Sequence, residues 1–461
     1  MPLGAVVAVA CGAQFLVVID SLVVTVALPD MQANLGLSAP GQQWVVTGYL
    51  VACGGLLLLA ARLGDVVGHR RMFLIGLSVF TLASLVGGLA PNGPVLIAAR
   101  VAQGAGAAAL APSSLSLITL SHADVDHRRR TRALAAWSAV SAAAGACGLV
   151  LGGLITDLLG WRWVLLLNLP VCGAVGAAAI VTLAVVRGTD DAGDADVAGA
   201  ALVTGAAAAL VFGLARAGES GWGHVDVLAP LAAAAVLVGA LVIVECIVRQ
   251  PLIPLSIFRR RGVMPANVLM TLLAAVMTAT MVFLSIYMQG ALGYSPLTTG
   301  LALMPMSVVI AAGAFTARAL VPRVGARWLL VVGCATSTLG LLWLATLSAQ
   351  SVYLTDVLGP SVLWAAGIGV MPLPLVALAT SDVVPDLAGL ASGLVNTARQ
   401  VGGAIGLAVF GSLAGSSVTI GATGEFRWRT ALVATACVTA AAALFAALTV
   451  RTPREHHDGT E

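Results

Sequence analysis

The chain has 461 residues, of which 59% are hydrophobic and only 9% charged, and its formal net charge is +3. Soluble proteins carry roughly 25% charged residues, so the composition excludes a soluble enzyme and predicts a polytopic membrane protein. Nucleic acid is excluded as a partner as well, because the basic residues, all of them arginine, fall in short connectors rather than along one face.

Apolar runs of about twenty residues, a helix long enough to cross a bilayer, recur along the chain. They predict fourteen transmembrane helices at 5–28, 43–61, 72–90, 96–120, 133–158, 162–186, 197–216, 227–248, 263–288, 297–317, 328–348, 357–379, 389–415 and 429–450. Each must be helical, since lipid offers no partner for an open backbone N–H or C=O. The first run has no basic leader and continues past Asp20 without a cleavage-type site, so it reads as helix 1 rather than a removed signal. The 7 cysteines are scattered singly with no neighbouring ligands, and no metal site is expected.

Arginine placement sets the topology. Arg62, Arg70 and Arg71 follow helix 2, and Arg128, Arg129, Arg130 and Arg132 follow helix 4. Arg259, Arg260 and Arg261 precede helix 9, Arg323 and Arg327 follow helix 10, and Arg451 and Arg454 lie in the tail. The positive-inside tendency makes this side, and both termini, cytoplasmic. Arg162, Arg216, Arg427 and Arg429 are the exceptions. A coarse repeat relates helices 1–6 to 9–14: each set has an Arg/Gly turn after its second helix and a glycine-rich fifth helix. The glycines are Gly145, Gly148, Gly152 and Gly153 in one set, and Gly402, Gly403 and Gly406 in the other. Helices 7 and 8 then read as an insertion between two halves that rock about a midplane site.

Asp20 and Arg100 stand inside these apolar runs. A carboxylate at the bilayer centre costs about 2.5 to 3.5 kcal/mol on insertion scales, so intramembrane ionisable residues point to function. Ile19, Asp20 and Ser21, followed by Val26, Ala27, Leu28 and Pro29, resemble the LDxTxVNVALP signature of drug:proton antiporters in the major facilitator superfamily, with Leu22 and Thr25 replacing the usual Thr and Asn. Arg62 to Arg71 resembles the superfamily's GxLaDrxGrr loop. Leu96 to Gly106, with Arg100, Gln103, Gly104 and Gly106, resembles its lxxxRxxQGxG pattern. Gly145, Gly148, Gly152 and Gly153 resemble the GxxxGPxxGG exporter motif with Leu149 in place of Pro. Trp161, Arg162, Trp163, Asn168 and Pro170, and the run from Ala391 through Asn396, Arg399 and Gln400 to Gly406, resemble the fourteen-helix branch.

The resemblance implies roles. Asp20 is the proton carrier and, when ionised, an attraction for a cationic substrate; Arg100 shares the proton relay. The alternative for Arg100 is a side chain that snorkels from near its helix end. Arg62, Asp65, Gly68, Arg70 and Arg71 form a cytoplasmic latch onto the other half. Gly145, Gly148, Gly152, Gly402 and Gly406 are places where helices approach closely and hinge.

Spacing alone adds a cavity expectation. At 100° per residue, Asn267, Thr271, Thr278, Ser285 and Gln289 fall within roughly 40° on helix 9. A stripe of Met270, Met277, Met281 and Met288 runs beside them. Gln14, Ser21 and Thr25 form a smaller stripe on helix 1, and Gln103 joins the set. Amide and hydroxyl groups beside pliable thioethers suit several large amphipathic molecules; Met277, Thr278 and Met281 are expected to line the cavity, and Met277 and Thr278 to influence substrate range. The alternative packs the polar stripe helix to helix and turns the Met stripe to lipid.

The expected fold is therefore an all-α membrane protein of the major facilitator type: an N-terminal half at 1–186, inserted helices at 187–262, a C-terminal half at 263–450 and a cytoplasmic tail at 451–461. The expected activity is proton-coupled efflux of amphipathic small molecules from a bacterial cytoplasmic membrane, with no cofactor and with lipid, protons and cationic or amphipathic compounds as partners. Export of one self-made metabolite and uptake by proton symport are the alternatives. Asp190, Asp191 and Asp194 spell DDxxD, a diphosphate-binding spacing, but sit in a polar connector that a solvated loop explains.

Overall fold

Close helix packing in this chain rests on glycine. A Cβ on Gly152 of the fifth helix would lie 2.8 Å from the Val23 backbone of the first, and one on Gly402 would meet the Thr271 backbone. The structure is a computed structural model that describes residues 3–121, 127–183, 196–248, 251–348, 350–414 and 428–450. The acidic triplet Asp190, Asp191 and Asp194 and the tail lie outside these residues.

Among the described residues the regular elements are helical; they group into fourteen long helical elements, 13 of which are long and apolar enough to cross a membrane. These are α1 (Leu3–Leu35), α2 (Ala39–Val67), α3 (His69–Gly88), α4 (Gly93–Ser121), α5 (His127–Leu159), α6 (Trp161–Thr182) and α7 (Val197–Ser220). There follow α8 (Val225–Ile247), α9 (Val263–Gly290), α10 (Pro296–Val324), α11 (Ala326–Leu344), α12 (Tyr353–Ser381), α13 (Pro385–Ala414) and α14 (Trp428–Thr449). Two expected helices are interrupted. α6 breaks at Leu167, three residues before Pro170, and α12 opens with a π-helical turn, Tyr353–Leu358, and breaks again before Pro372. Proline cannot donate to the preceding turn, which accounts for both breaks near a proline.

Packing repeats with a shift of eight helices. α1 packs on α5 as α9 does on α13; α2 packs on α4 as α10 does on α12; α3 packs on α6 as α11 does on α14. The two six-helix sets meet through the equivalent pairs α5 with α10 and α13 with α2. This is the parallel pseudo-twofold arrangement of the fold. α7 lies against both α2 and α13, and α8 packs on α7. Where the connector enters α9, Leu57, Leu58, Ala200, Leu252, Ile253, Ile257, Val263, Ala391 and Leu394 form one apolar cluster that joins both sets to the inserted pair. Glu245 fixes the connector by accepting a hydrogen bond from the Ile253 N–H at 3.0 Å.

Two structural differences from the sequence reading matter. The Arg62–Arg71 segment is not a loop: α2 runs to Val67 and a single residue, Gly68, links it to α3 with φ +99°. And one of the five hinge glycines, Gly145, has open space where a side chain would go, whereas Gly148, Gly152, Gly402 and Gly406 meet a neighbouring helix. Gly406→Val is therefore expected to cost about 1 to 3 kcal/mol by overpacking. It should lower the unfolding temperature in detergent, while Gly145→Val leaves it unchanged; equal shifts in the two variants would contradict this packing.

Candidate functional site

Halfway along α1, Asp20 is 1% exposed. An acid so placed needs donors, and three side chains from two helices supply them. Arg100 Nη1 of α4 donates to Asp20 Oδ2 at 2.6 Å, and Gln103 Nε2 of α4 and Asn168 Nδ2 of α6 both donate to Oδ1 at 2.8 Å. Ser84 of α3 closes the network, accepting from Gln103 Nε2 at 2.8 Å and from Asn168 Nδ2 at 3.3 Å while donating to the Phe80 carbonyl. Arg100 is equally committed: its Nε donates to the Val45 carbonyl at 3.0 Å, Nη1 also reaches Gln103 Oε1, and its guanidinium stacks 4.5 Å from the centre of the Tyr49 ring.

This geometry resolves several sequence readings. Arg100 does not snorkel; it is 1% exposed and paired. Gln103, expected in the cavity, is a member of the carboxylate network. Asp20 faces the interior of its own six-helix set, and its oxygens are occupied by protein donors, so it is not an open anion for a cationic ligand. Asn168 owes its position to the break in α6, which starts a new helical turn at that residue. Sequence reading noted Asn168 only as part of a motif and missed Ser84 and Tyr49. A polar residue isolated in an apolar run was the one signal for the first two.

Five residues beyond Asp20, α1 makes the second element of the site. Pro29 removes the N–H that would bond the Thr25 carbonyl. Ser285 Oγ of α9 donates to that carbonyl at 3.2 Å, and Gln289 Nε2 donates to the Val26 carbonyl at 2.9 Å. Nearby, Asp157 Oδ2 of α5 accepts from Ser295 Oγ at 2.8 Å and from the Leu297 N–H at 3.3 Å, capping α10 across the gap. The two halves are thus pinned together on the side where α1 ends. Ser21 and Thr25 bond back to the Val17 and Ser21 carbonyls within α1, a pattern that softens a helix.

The rest of the α9 stripe divides. Asn267 and Thr271 bond to carbonyls of their own helix, and Thr271 and Thr278 pack on Gly402 and Gly403 of α13. Met270, Met281 and Met288 are buried, and Met277 is half-buried. Gln14 is half-buried, with its Oε1 unpartnered. Of the latch residues, Asp65 and Arg70 bond within the first six helices: Asp65 meets His69 at 3.2 Å and Arg70 Nη2 donates to the Ile180 carbonyl at 3.3 Å, while Arg71 is exposed. Arg62 is half-buried near the end of α2. On the opposite side Arg162, an exception to the arginine rule, donates to Asn34 Oδ1 and the Ala90 carbonyl and stacks on Trp161.

A family model described as Major Facilitator Superfamily matches residues 10–407. The chain belongs to that superfamily. As a major facilitator chain it is a multi-span membrane transporter, not an enzyme. It is 44% identical to the cephamycin export protein CmcT of Amycolatopsis lactamdurans, over 89% of this chain and 85% of that one. It is 39% identical to the puromycin resistance protein pur8 of Streptomyces alboniger, over 90% and 81%. Against the multidrug resistance protein Stp of Mycobacterium tuberculosis it is 34% identical, over 87% and 73%. Its fold matches the inward-open xylose transporter XylE from E. coli with a TM-score of 0.64 at 14% identity, covering 98% of both chains.

Removing one member of a buried ion pair costs about 3 to 5 kcal/mol because the other charge is left unpaired. Asp20→Asn in this transporter is therefore expected to lower its unfolding temperature in detergent, and Asp20→Asn with Arg100→Gln to recover most of the loss. A double variant no more stable than the single one would show that the pair is not energetically coupled.

Proposed function

We propose that the chain is a proton-coupled exporter of amphipathic small molecules, working by alternating access between the halves at 1–186 and 263–450. The observation that carries this reading is that α1 holds both the buried acid, Asp20, and the carbonyls of Thr25 and Val26 on which α9 closes one side. The arginine distribution makes the closed side external and both termini cytoplasmic. The relatives' names, which speak of cephamycin export and of puromycin and multidrug resistance, support a drug-like cargo and the outward direction.

The mechanism follows from charge. With Asp20 ionised, the three donors hold α1 in place and the external side is shut. A proton reaching Asp20 from the external side, along a path too narrow for the cargo, removes the charge that Arg100 attracts and that Gln103 and Asn168 share. α1, softened by its serine and threonine back-bonds, is then free to turn, and the contacts of Ser285 and Gln289 on the same helix break. Access passes to the outside, and the cargo leaves. The emptied carrier returns inward with its proton, and deprotonation toward the cytoplasm restores the pair. Across about 100 mV each charge moved contributes about 2.3 kcal/mol, so one proton exchanged for a neutral molecule sustains roughly a fifty-fold gradient.

Two measurements test this. In everted membrane vesicles energised to an acidic interior, the wild-type chain should accumulate puromycin, an uncoupler should abolish the uptake, and Asp20→Asn should reduce it to that of vesicles without the protein. Full activity of Asp20→Asn would remove Asp20 as the carrier, and accumulation that rises with the uncoupler would indicate symport. In a background lacking the 7 native cysteines, Thr25→Cys should react faster with an impermeant external thiol reagent when Ser285 and Gln289 are both alanine. An unchanged rate would mean that these two side chains do not hold the outer side shut.

A further inference from the structure

One charge in the centre of the molecule has no counter-charge among the described residues. α13 spans Pro385–Ala414, so Arg399 lies roughly 21 Å from either end at about 1.5 Å per residue. That places it near the middle of the bilayer. Its Nε and Nη2 both donate to the same atom, Asn396 Oδ1, at 3.1 and 2.8 Å. No carboxylate pairs with it among the described residues. A guanidinium has five N–H donors, so most of its hydrogen-bonding capacity is open, and the side chain is exposed.

The direction it faces follows from its neighbours on the helix. Gly402 and Gly406, within roughly 60° of Arg399 at 100° per residue, pack on Thr271 and Ala275 of α9. Gln400 and Gly393, roughly 100° to 120° away on its other side, pack on Gly54 and Leu58 of α2. Arg399 therefore points between α2 and α9, into the space where the two halves meet, and not toward lipid. Tyr49 and Cys53 of α2 lie within its electrostatic reach, and the Tyr49 ring also carries Arg100, already neutralised by Asp20. The midplane between the halves thus has an excess positive charge.

We propose that Arg399, oriented by Asn396, is the binding site for an anionic group of the cargo, a carboxylate on an amphipathic molecule. This rests on the efflux reading and narrows it: the preferred substrates are anions, not the cations that an isolated Asp20 suggested. A carboxylate suits the planar guanidinium fork, which can bind it through two parallel N–H···O bonds. The energetics follow, because a monoanion leaving in exchange for one entering proton moves two charges, so the membrane potential becomes a driving force alongside the pH difference.

The test compares cephalothin, a monocarboxylate, with its methyl ester, by binding to the full chain in lipid nanodiscs. Wild type should bind the acid more tightly than the ester by roughly tenfold or more, the value of one charged hydrogen-bond set. Arg399→Gln should bring the acid down to the ester, and Arg399→Lys should retain part of the difference. Equal affinity of wild type for acid and ester, or failure to bind either, overturns the proposal, as does an Arg399→Gln chain that still prefers the acid. Should Arg399→Gln not fold, the acid-to-ester ratio of wild type and of Arg399→Lys decides alone. Accumulation of cephalothin, of its ester and of puromycin in everted vesicles is read in parallel. Uncoupler-sensitive accumulation without acid preference sinks only this inference, whereas its absence sinks the efflux reading itself.

Discussion

The structure turns on one constraint: a carboxylate in the middle of a bilayer must be either neutral or fully surrounded by donors. Asp20 takes the second course, and the residues that satisfy it come from α4 and α6, with Ser84 of α3 bridging between them. Such an arrangement orders the packing of the first six helices around α1. Under the proposed mechanism it also makes the position of α1 depend on a proton, since adding one removes the charge that Arg100, Gln103 and Asn168 are arranged to meet.

That dependence matters because of what else α1 does. Pro29 leaves the Thr25 carbonyl without a helical partner, and Ser285 of the other half takes it. The contact is weak by design of its chemistry, a neutral hydroxyl on a carbonyl, so it can break without a large barrier, whereas the α2–α13 and α5–α10 seams pack closely through glycine. A carrier needs both kinds of interface: seams that stay closed while the halves tilt, and a side that opens. The inserted α7 and α8 lie along one seam, and the apolar cluster around Leu57, Ile253 and Leu394 ties them to both halves.

The charge balance of the midplane is the third consequence. With Asp20 and Arg100 cancelling each other inside one half, Arg399 is left to set the potential between the halves. A reading from the sequence counts Asp20 as an available negative charge and misses this, because pairing is decided by which faces of α1, α4 and α13 meet. The same limit explains the α9 stripe. Its residues do share a face, as their spacing requires, but Thr271 and Thr278 turn to the glycines of α13 while Ser285 and Gln289 turn to α1. A helix 28 residues long passes different neighbours at different depths.

What the sequence determined by itself is what local chemistry dictates: fourteen long helices, 13 of them apolar enough to span, the repeat from recurring turns and glycines, and the superfamily from Asp20, Arg100 and their motifs. Those follow from hydrogen-bond closure in lipid and from the cost of an intramembrane charge, neither of which needs a partner to be known. The tertiary structure alone decided that Asp20 is enclosed within its own half, that Asn168 and Ser84 complete its shell, and that Asp65 bonds to His69 beside it rather than across the gap. It also decided that Arg399 faces the space between the halves. Each of these depends on the relative rotation of helices far apart in the chain, which packing of side chains against side chains fixes and periodicity along one helix cannot.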